Sequence, residues 1–278
     1  MPVLVPDAVL ESNITMDNAK RGSSSGFYSD SEVIFNKNET FDLPFVSVPE
    51  KIVICIDIAE DPNLVPYLRS DNTTCRPFDV LKKALELFAF NKLCLNPDHE
   101  LAFVTVEPGG FKWISDFSSN LQKIGDAIDS LNPVEQIEPG YCNFTPVFKE
   151  VKSKVGTLPI NENNNELPKH IIRLFIIYNS SMNKPKFNRD DESYKSLISS
   201  DNVVVDLLYL HDPVSKEYHP QEIYNILLSF IKRGSYFEEE SRKVTKVFNA
   251  FSRYLAHPLQ RTCNETERQL MELYDNNN

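Results

Sequence analysis

Three carboxylates crowd the residues that close the chain's first apolar run, Asp57-Ile58-Ala59-Glu60-Asp61-Pro62. An oxygen-rich loop of this kind suits a hard divalent cation. Equally, an Asp in a turn bonds its own neighbouring backbone. Phosphate is the wrong ligand, because the loop has no glycine to let backbone N–H groups approach closely and its charge is negative. Cys142 with His170 or His211 is a second constellation, a thiol–imidazole pair on paper, although residues this dispersed read first as structural. His99, His211, His219 and His257 follow no metal-ligand spacing. There is no P-loop, no Gly-x-Ser-x-Gly elbow, and no Cys-x-x-Cys pair among the five cysteines, Cys55, Cys75, Cys94, Cys142 and Cys263. An enzyme reading has no anchor.

The elements that must position these residues alternate. Lys51–Ile58 (KIVICIDI) is a short β-branched run, the mark of a strand covered on both faces. Leu101–Glu107, Ile171–Tyr178 and Val203–Leu210 repeat the pattern, and 236–238 reads as an edge strand. Between them, helical spacing of apolar residues predicts helices over 78–93, 118–131 with Ser118 as cap, 145–155, 190–199, 220–233 and 241–256. Strands separated by helices of this length imply an α/β fold with a doubly wound, mostly parallel sheet and helices on both faces. Such sheets bind ligands at the carboxyl ends of their strands. Residues 1–45, rich in Gly, Ser, Asn and Asp, read as a flexible arm; 46–256 read as the domain, and 257–278 as a C-terminal segment and tail, with a short helix conceivable over 266–274.

In von Willebrand A (integrin I-type) domains, an Asp-x-Ser-x-Ser loop after the first strand, a Thr from a second loop and an Asp from a third hold Mg²⁺. This sequence resembles a decayed version. Asp57 matches the first ligand, Ala59 stands where the first Ser belongs, Asp61 replaces the second, Thr145 matches the loop Thr, and Asn179 sits where the third-loop Asp would be. The expectation is a degenerate metal site and no cofactor. A metal-dependent ligand-binding module, using Asp57, Asp61 and Thr145, is the alternative.

The stretch Leu255-Ala-His-Pro-Leu-Gln-Arg261 resembles the carboxy-terminal signature of the BRISC and BRCA-A complex member 1 family. Pro49-Glu-Lys-Ile-Val-Ile-Cys-Ile-Asp57, Asp98-His-Glu-Leu-Ala-Phe-Val104, Phe111-Lys-Trp-Ile-Ser115 and Val204-Val-Asp-Leu-Leu-Tyr-Leu-His211 are similar to it as well, in the same order. The resemblance covers about residues 46–263 and implies a von Willebrand A-like, non-catalytic adaptor in complexes that hydrolyse lysine-sixty-three-linked ubiquitin chains. It implies binding to the BRE (brain and reproductive organ-expressed) subunit. Through BRE it implies an Abraxas-type scaffold and a separate deubiquitinase subunit, which alone carries zinc. Roles in the DNA damage response, double-strand break repair and the mitotic checkpoint are implied in the same way. Pro258, Leu259, Gln260 and Arg261 form a P-x-x-R element that the resemblance suggests docks into an E2-like domain of BRE. There Leu259 would fill an apolar pocket and Arg261 would make a charge-assisted contact. The alternative is a loop packed on its own domain. The family's tankyrase-binding Arg-x-x-Pro-x-Gly element is absent from the amino-terminal arm.

A net charge of -11 argues against a nucleic-acid face, and no apolar run approaches a membrane span. Met1–Leu10 lacks the basic start of a signal peptide, so the six N-x-S/T sequons read as chance matches and the expected location is cytoplasm and nucleus.

Overall fold

The computed structural model describes residues 48–62, 66–68, 73–158, 168–211, 220–231, 234–241 and 243–261. The arm over 1–45, the helix considered over 266–274 and Cys263 lie outside them. Six strands form the main sheet: β1 (Glu50–Asp57), β2 (Glu100–Glu107), β3 (Gly110–Ser118), β4 (Ile171–Tyr178), β5 (Val203–His211) and β6 (Phe237–Ser241). Their order is β6-β5-β4-β1-β2-β3, all parallel except β3, which pairs antiparallel with β2. The order reverses at β1, so the switch point lies between the carboxyl ends of β1 and β4.

The apolar strands expected from the sequence stand within one or two residues of their predicted bounds. β1, β4 and β5 are buried along nearly their whole length, because helices cover both faces. On one face Ile52, Ile54, Ile56, Phe103, Phe175, Ile177, Leu208 and Leu210 pack against α1 (Pro77–Leu95), α2 (Leu121–Ser130) and α6 (Val244–Arg253). The alternate residues Val53, Cys55, Val104, Leu174, Ile176 and Leu207 pack against α3 (Thr145–Val155), α4 (Glu192–Ser199) and α5 (Pro220–Leu228).

Some predicted bounds shift, and one strand was missed. Ser118 belongs to β3, and α2 is capped by Asn120, whose side chain accepts from Lys123 N at 3.0 Å. α5 ends at Leu228, five residues short of the expected end. β3 was not anticipated: it is a half-exposed edge strand, returned by the two-residue turn Pro108-Gly109, with Gly110 at φ +151°, where a side chain would be strained.

Candidate functional site

The carboxyl-end loops meet where the sequence placed a decayed ion site. Asp57 ends β1 and is fully buried. Its Oδ1 accepts from Ala59 N at 3.1 Å, and its Oδ2 from Asn179 N, just past β4, at 3.3 Å. The Cys142 thiol lies 3.9 Å from Oδ1. The carboxylate therefore clamps two loops together through their backbones. Thr145, at the start of α3, accepts from Asn188 N at its Oγ1 at 2.8 Å, which ties down the segment ahead of α4. Asp61 is half-buried on the first loop. Asp57 and Asn179 are thus joined directly, while Thr145 is directed to a different loop.

This donor set departs from an ordinary Mg²⁺ cage. Octahedral Mg²⁺ requires oxygens with lone pairs turned toward it; both Asp57 oxygens accept backbone N–H groups, position 59 offers a methyl, and Thr145 Oγ1 is engaged elsewhere. Among the described residues no group of three or more His, Cys, Asp and Glu could hold a metal. The thiol–imidazole pair does not form either. His170 precedes β4 at the opposite end of the sheet, and His211 pairs with Glu239 at 2.7 Å. Burial, with the Asp57 charge beside it, pushes the Cys142 thiol far above the usual cysteine range, so Cys142 stays protonated.

The larger concentration of charge sits at the amino ends of the strands, where sequence reading looked for none. Glu50, Arg173 and Asp206 enter the core from β1, β4 and β5 and are all buried. Arg173 bridges the two acids, with Nη1 3.2 Å from Glu50 and Nε 2.6 Å from Asp206; its Nη2 donates to the Tyr254 carbonyl at 2.7 Å. Lys92, near the end of α1, donates to the other Glu50 oxygen. Arg261 meets Asp206 edge-on, Nη1 at 2.6 Å and Nη2 at 2.7 Å, and its guanidinium lies 3.9 Å from the centroid of the Tyr236 ring. Tyr236 N adds a bond to Asp206 Oδ1 at 2.8 Å.

Burial alone would raise the two acids. Arg173 and Lys92 around Glu50, and Arg173 and Arg261 around Asp206, hold both carboxyls below the usual range instead. Burial pulls Lys92 down to about 8, although Glu50 opposes it. His99 accepts from Glu50 N at its Nδ1 at 2.9 Å, so its proton is on Nε2, and burial with the Lys92 charge lowers it to about 4. His257, stacked on His99 at 6.3 Å, is also lowered, chiefly by burial.

A pH dependence follows. An unfolded His99 titrates near its ordinary 6.5 and the folded one near 4. Between those values the unfolded chain binds more protons, so this contribution is complete above pH 6.5 and is lost as pH falls toward 4. Protonation of Glu50 and Asp206 acts in the same direction. Urea midpoints should fall steadily from pH 7 to pH 5, more weakly in His99→Gln. A midpoint that is flat or rises on acidification contradicts the neutral-imidazole assignment.

Of the four residues expected to dock, Pro258 is buried, Leu259 and Gln260 are exposed, and the Arg261 side chain is only 2% exposed. Extracting Arg261 would strip Asp206 of one of its two guanidinium partners. Breaking a buried pair costs about 3–5 kcal/mol, more than the about 2 kcal/mol an interface arginine contributes. Within the chain, the Arg261 side chain is held by Asp206.

Strand order 3-2-1-4-5-6 with its third strand reversed, together with carboxyl-end loops that converge on Asp57, defines a von Willebrand A-like domain. In outline the chain also overlays on solved von Willebrand A domains. One is that of SpRpn10, at TM-score 0.47 and 14% identity over 77% of this chain and 99% of that one. Another is the von Willebrand factor type A from Catenulispora acidiphila, at TM-score 0.47 and 13% identity over 76% and 43%. No family model matches the chain. Curated relatives are "BRISC and BRCA1-A complex member 1" of Bos taurus and of Homo sapiens, each 26% identical over 228 residues, 79% of this chain and 67% of theirs. The Xenopus tropicalis protein of the same name is 23% identical over 226 residues, 78% and 68%. The chain is similar to this family over most of its length. Among the described residues no helix is long and apolar enough to cross a membrane.

Proposed function

We propose that this chain is a non-catalytic scaffold subunit of a BRISC-type, and by its relatives' name BRCA1-A-type, deubiquitinase assembly. In that reading it binds the BRE subunit and through it the Abraxas-type scaffold and the zinc-dependent subunit that cleaves lysine-sixty-three-linked chains, in cytoplasm and nucleus. Roles in DNA repair and the cell cycle would follow from membership of the assembly. The observation that carries the reading is Asp57. At the position where ligand-binding domains of this fold grip an ion, the carboxylate is spent on Ala59 N and Asn179 N. What the chain then has to offer is surface for other polypeptides.

Affinity purification of the tagged full-length chain tests this, with the co-eluting subunits identified by mass. A stoichiometric BRE-type subunit is expected; its absence sinks the reading. Calorimetric titration with Mg²⁺ or Mn²⁺ is expected to give no binding tighter than about millimolar. Tighter binding would favour the metal-dependent module built on Asp57, Asp61 and Thr145.

A further inference from the structure

The short strand Lys184–Lys186 and the residues that follow it face α5 across a trough of about 480 Å³. Its floor is apolar: Pro185 is buried, and Phe187 and Ile226 are half-buried. Phe187 is wedged among the rings of Phe148, Tyr194 and Phe230, with centroids 6.1, 4.9 and 4.2 Å away, so the floor is rigid. Lys186, Arg189, Glu222 and Asn225 are exposed and border it. From Glu222 to Ser229 the helical wall runs about 10 Å, the span of three extended residues.

The groups on the border are unequal in kind. Lys184 takes Glu222 at 2.6 Å, Lys195 takes Asp190 and Lys149 takes Asp191, both at 3.1 Å, so each of these acids has a lysine of its own. Lys186 pairs with no carboxylate among the described residues; its ammonium sits 5.1 Å from the centroid of the Tyr141 ring. The Arg189 guanidinium sits 5.8 Å from that of Phe187. An aromatic face thus holds each cation in place. Asn225 accepts from Gln221 Nε2 at its Oδ1 (3.0 Å), which leaves its NH2 group to donate. Ammonium, guanidinium and that NH2 are donors only, and the single carboxylate on the border is already spent on Lys184. In a chain of net charge -11 this border offers donors and positive charge. Its complement is negative and rich in acceptors.

We infer that the trough is a docking groove for an extended acidic peptide of another polypeptide, with an apolar side chain set among its carboxylates. The apolar side chain lies on Pro185, Phe187 and Ile226, and the carboxylates take Lys186, Arg189 and the Asn225 amide. A small anion would leave the floor bare to water. The inference stands apart from the scaffold reading, since it names a surface and the chemistry of its ligand whatever assembly the chain joins.

The test follows the amide signals of the full-length, isotope-labelled chain as synthetic peptides are added. The probe is acetyl-Glu-Asp-Leu-Glu-Asp-amide; one control replaces its Leu by Gly, the other its four acids by Lys. Saturable shifts around residues 185–189 and 222–229 are expected with the leucine peptide, at about millimolar affinity for so short a segment. The glycine control should bind about threefold more weakly or worse, and the lysine control not at all. Lys186→Glu combined with Arg189→Glu, both at exposed positions, should weaken the leucine peptide about tenfold or more, with the melting temperature unchanged. Raising NaCl should weaken wild-type binding several-fold.

The inference is overturned if the leucine peptide gives no saturable shifts, or shifts that map elsewhere. It is equally overturned if the lysine control binds as well, or if the double charge reversal leaves the affinity unaltered. A glycine control that binds like the leucine peptide removes the apolar floor from the groove and overturns it too. Should the double variant not fold, the three peptides on the wild-type chain decide.

Discussion

Asp206→Ala is expected to remove about 3–5 kcal/mol of stability, seen as a large fall in the urea midpoint. The buried cluster holds two carboxylates, Glu50 and Asp206, against three cations, Lys92, Arg173 and Arg261. Deleting Asp206 leaves Arg261 with backbone carbonyls and the Tyr236 ring, and leaves three buried cations around one acid. Burial already depresses Lys92, with Glu50 opposing the shift and Arg173 adding to it. Arg173→Met, by contrast, is expected to cost less. It leaves Glu50 with Lys92 and Asp206 with Arg261, two balanced pairs, and puts an apolar side chain of similar length beside the Phe88 and Phe175 rings. Parallel urea titrations decide the order. If Arg173→Met proves as damaging as Asp206→Ala, charge balance does not govern the cluster.

The second large loss is expected at the ring packed directly above it. Phe175→Ala should cost about 3–5 kcal/mol, as large-to-small changes in a tight core do. Phe175 is fully buried, with its centroid 5.6 Å from Phe88 on α1, 5.7 Å from Phe251 on α6 and 4.5 Å from Tyr254 beyond it. One strand residue thus holds both helices against the sheet, and the neighbouring rings are too well anchored to collapse into the space it leaves. Tyr254 is fixed through its hydroxyl to the Leu207 carbonyl. Phe175→Leu, which retains much of the volume, should cost less than about 1.5 kcal/mol. Thermal and urea unfolding measure both, and a loss below that figure for the alanine variant would show that the helices are held elsewhere.

The two substitutions probe one physical arrangement. The aromatic cluster closes over the charged row, and the segment from Tyr254 to Arg261 forms part of its lid. Damage to either therefore loosens the turn that carries Leu259.

Much of this protein was legible in its residues. KIVICIDI, IIRLFIIY and VVVDLLYL declare buried parallel strands because burial on both faces demands continuous apolar runs, and the intervening 3.6-residue periodicity declares the helices. The reading of position 59 was equally local: a hydroxyl ligand cannot come from Ala59, whatever the fold. β3 was missed although Phe111, Trp113 and Phe117 alternate, since an edge strand half in water carries a weak signal. Glu50, Arg173 and Asp206 also left a trace, as single charges inside apolar strands. What no local pattern could supply was their partnership. Glu50 and Arg173 are 123 residues apart, and Asp206 and Arg261 are 55 apart. Whether an arginine near the chain's end faces a partner or its own core depends on whether a carboxylate waits at bonding distance, and that is decided only when strands distant in sequence are laid side by side in register.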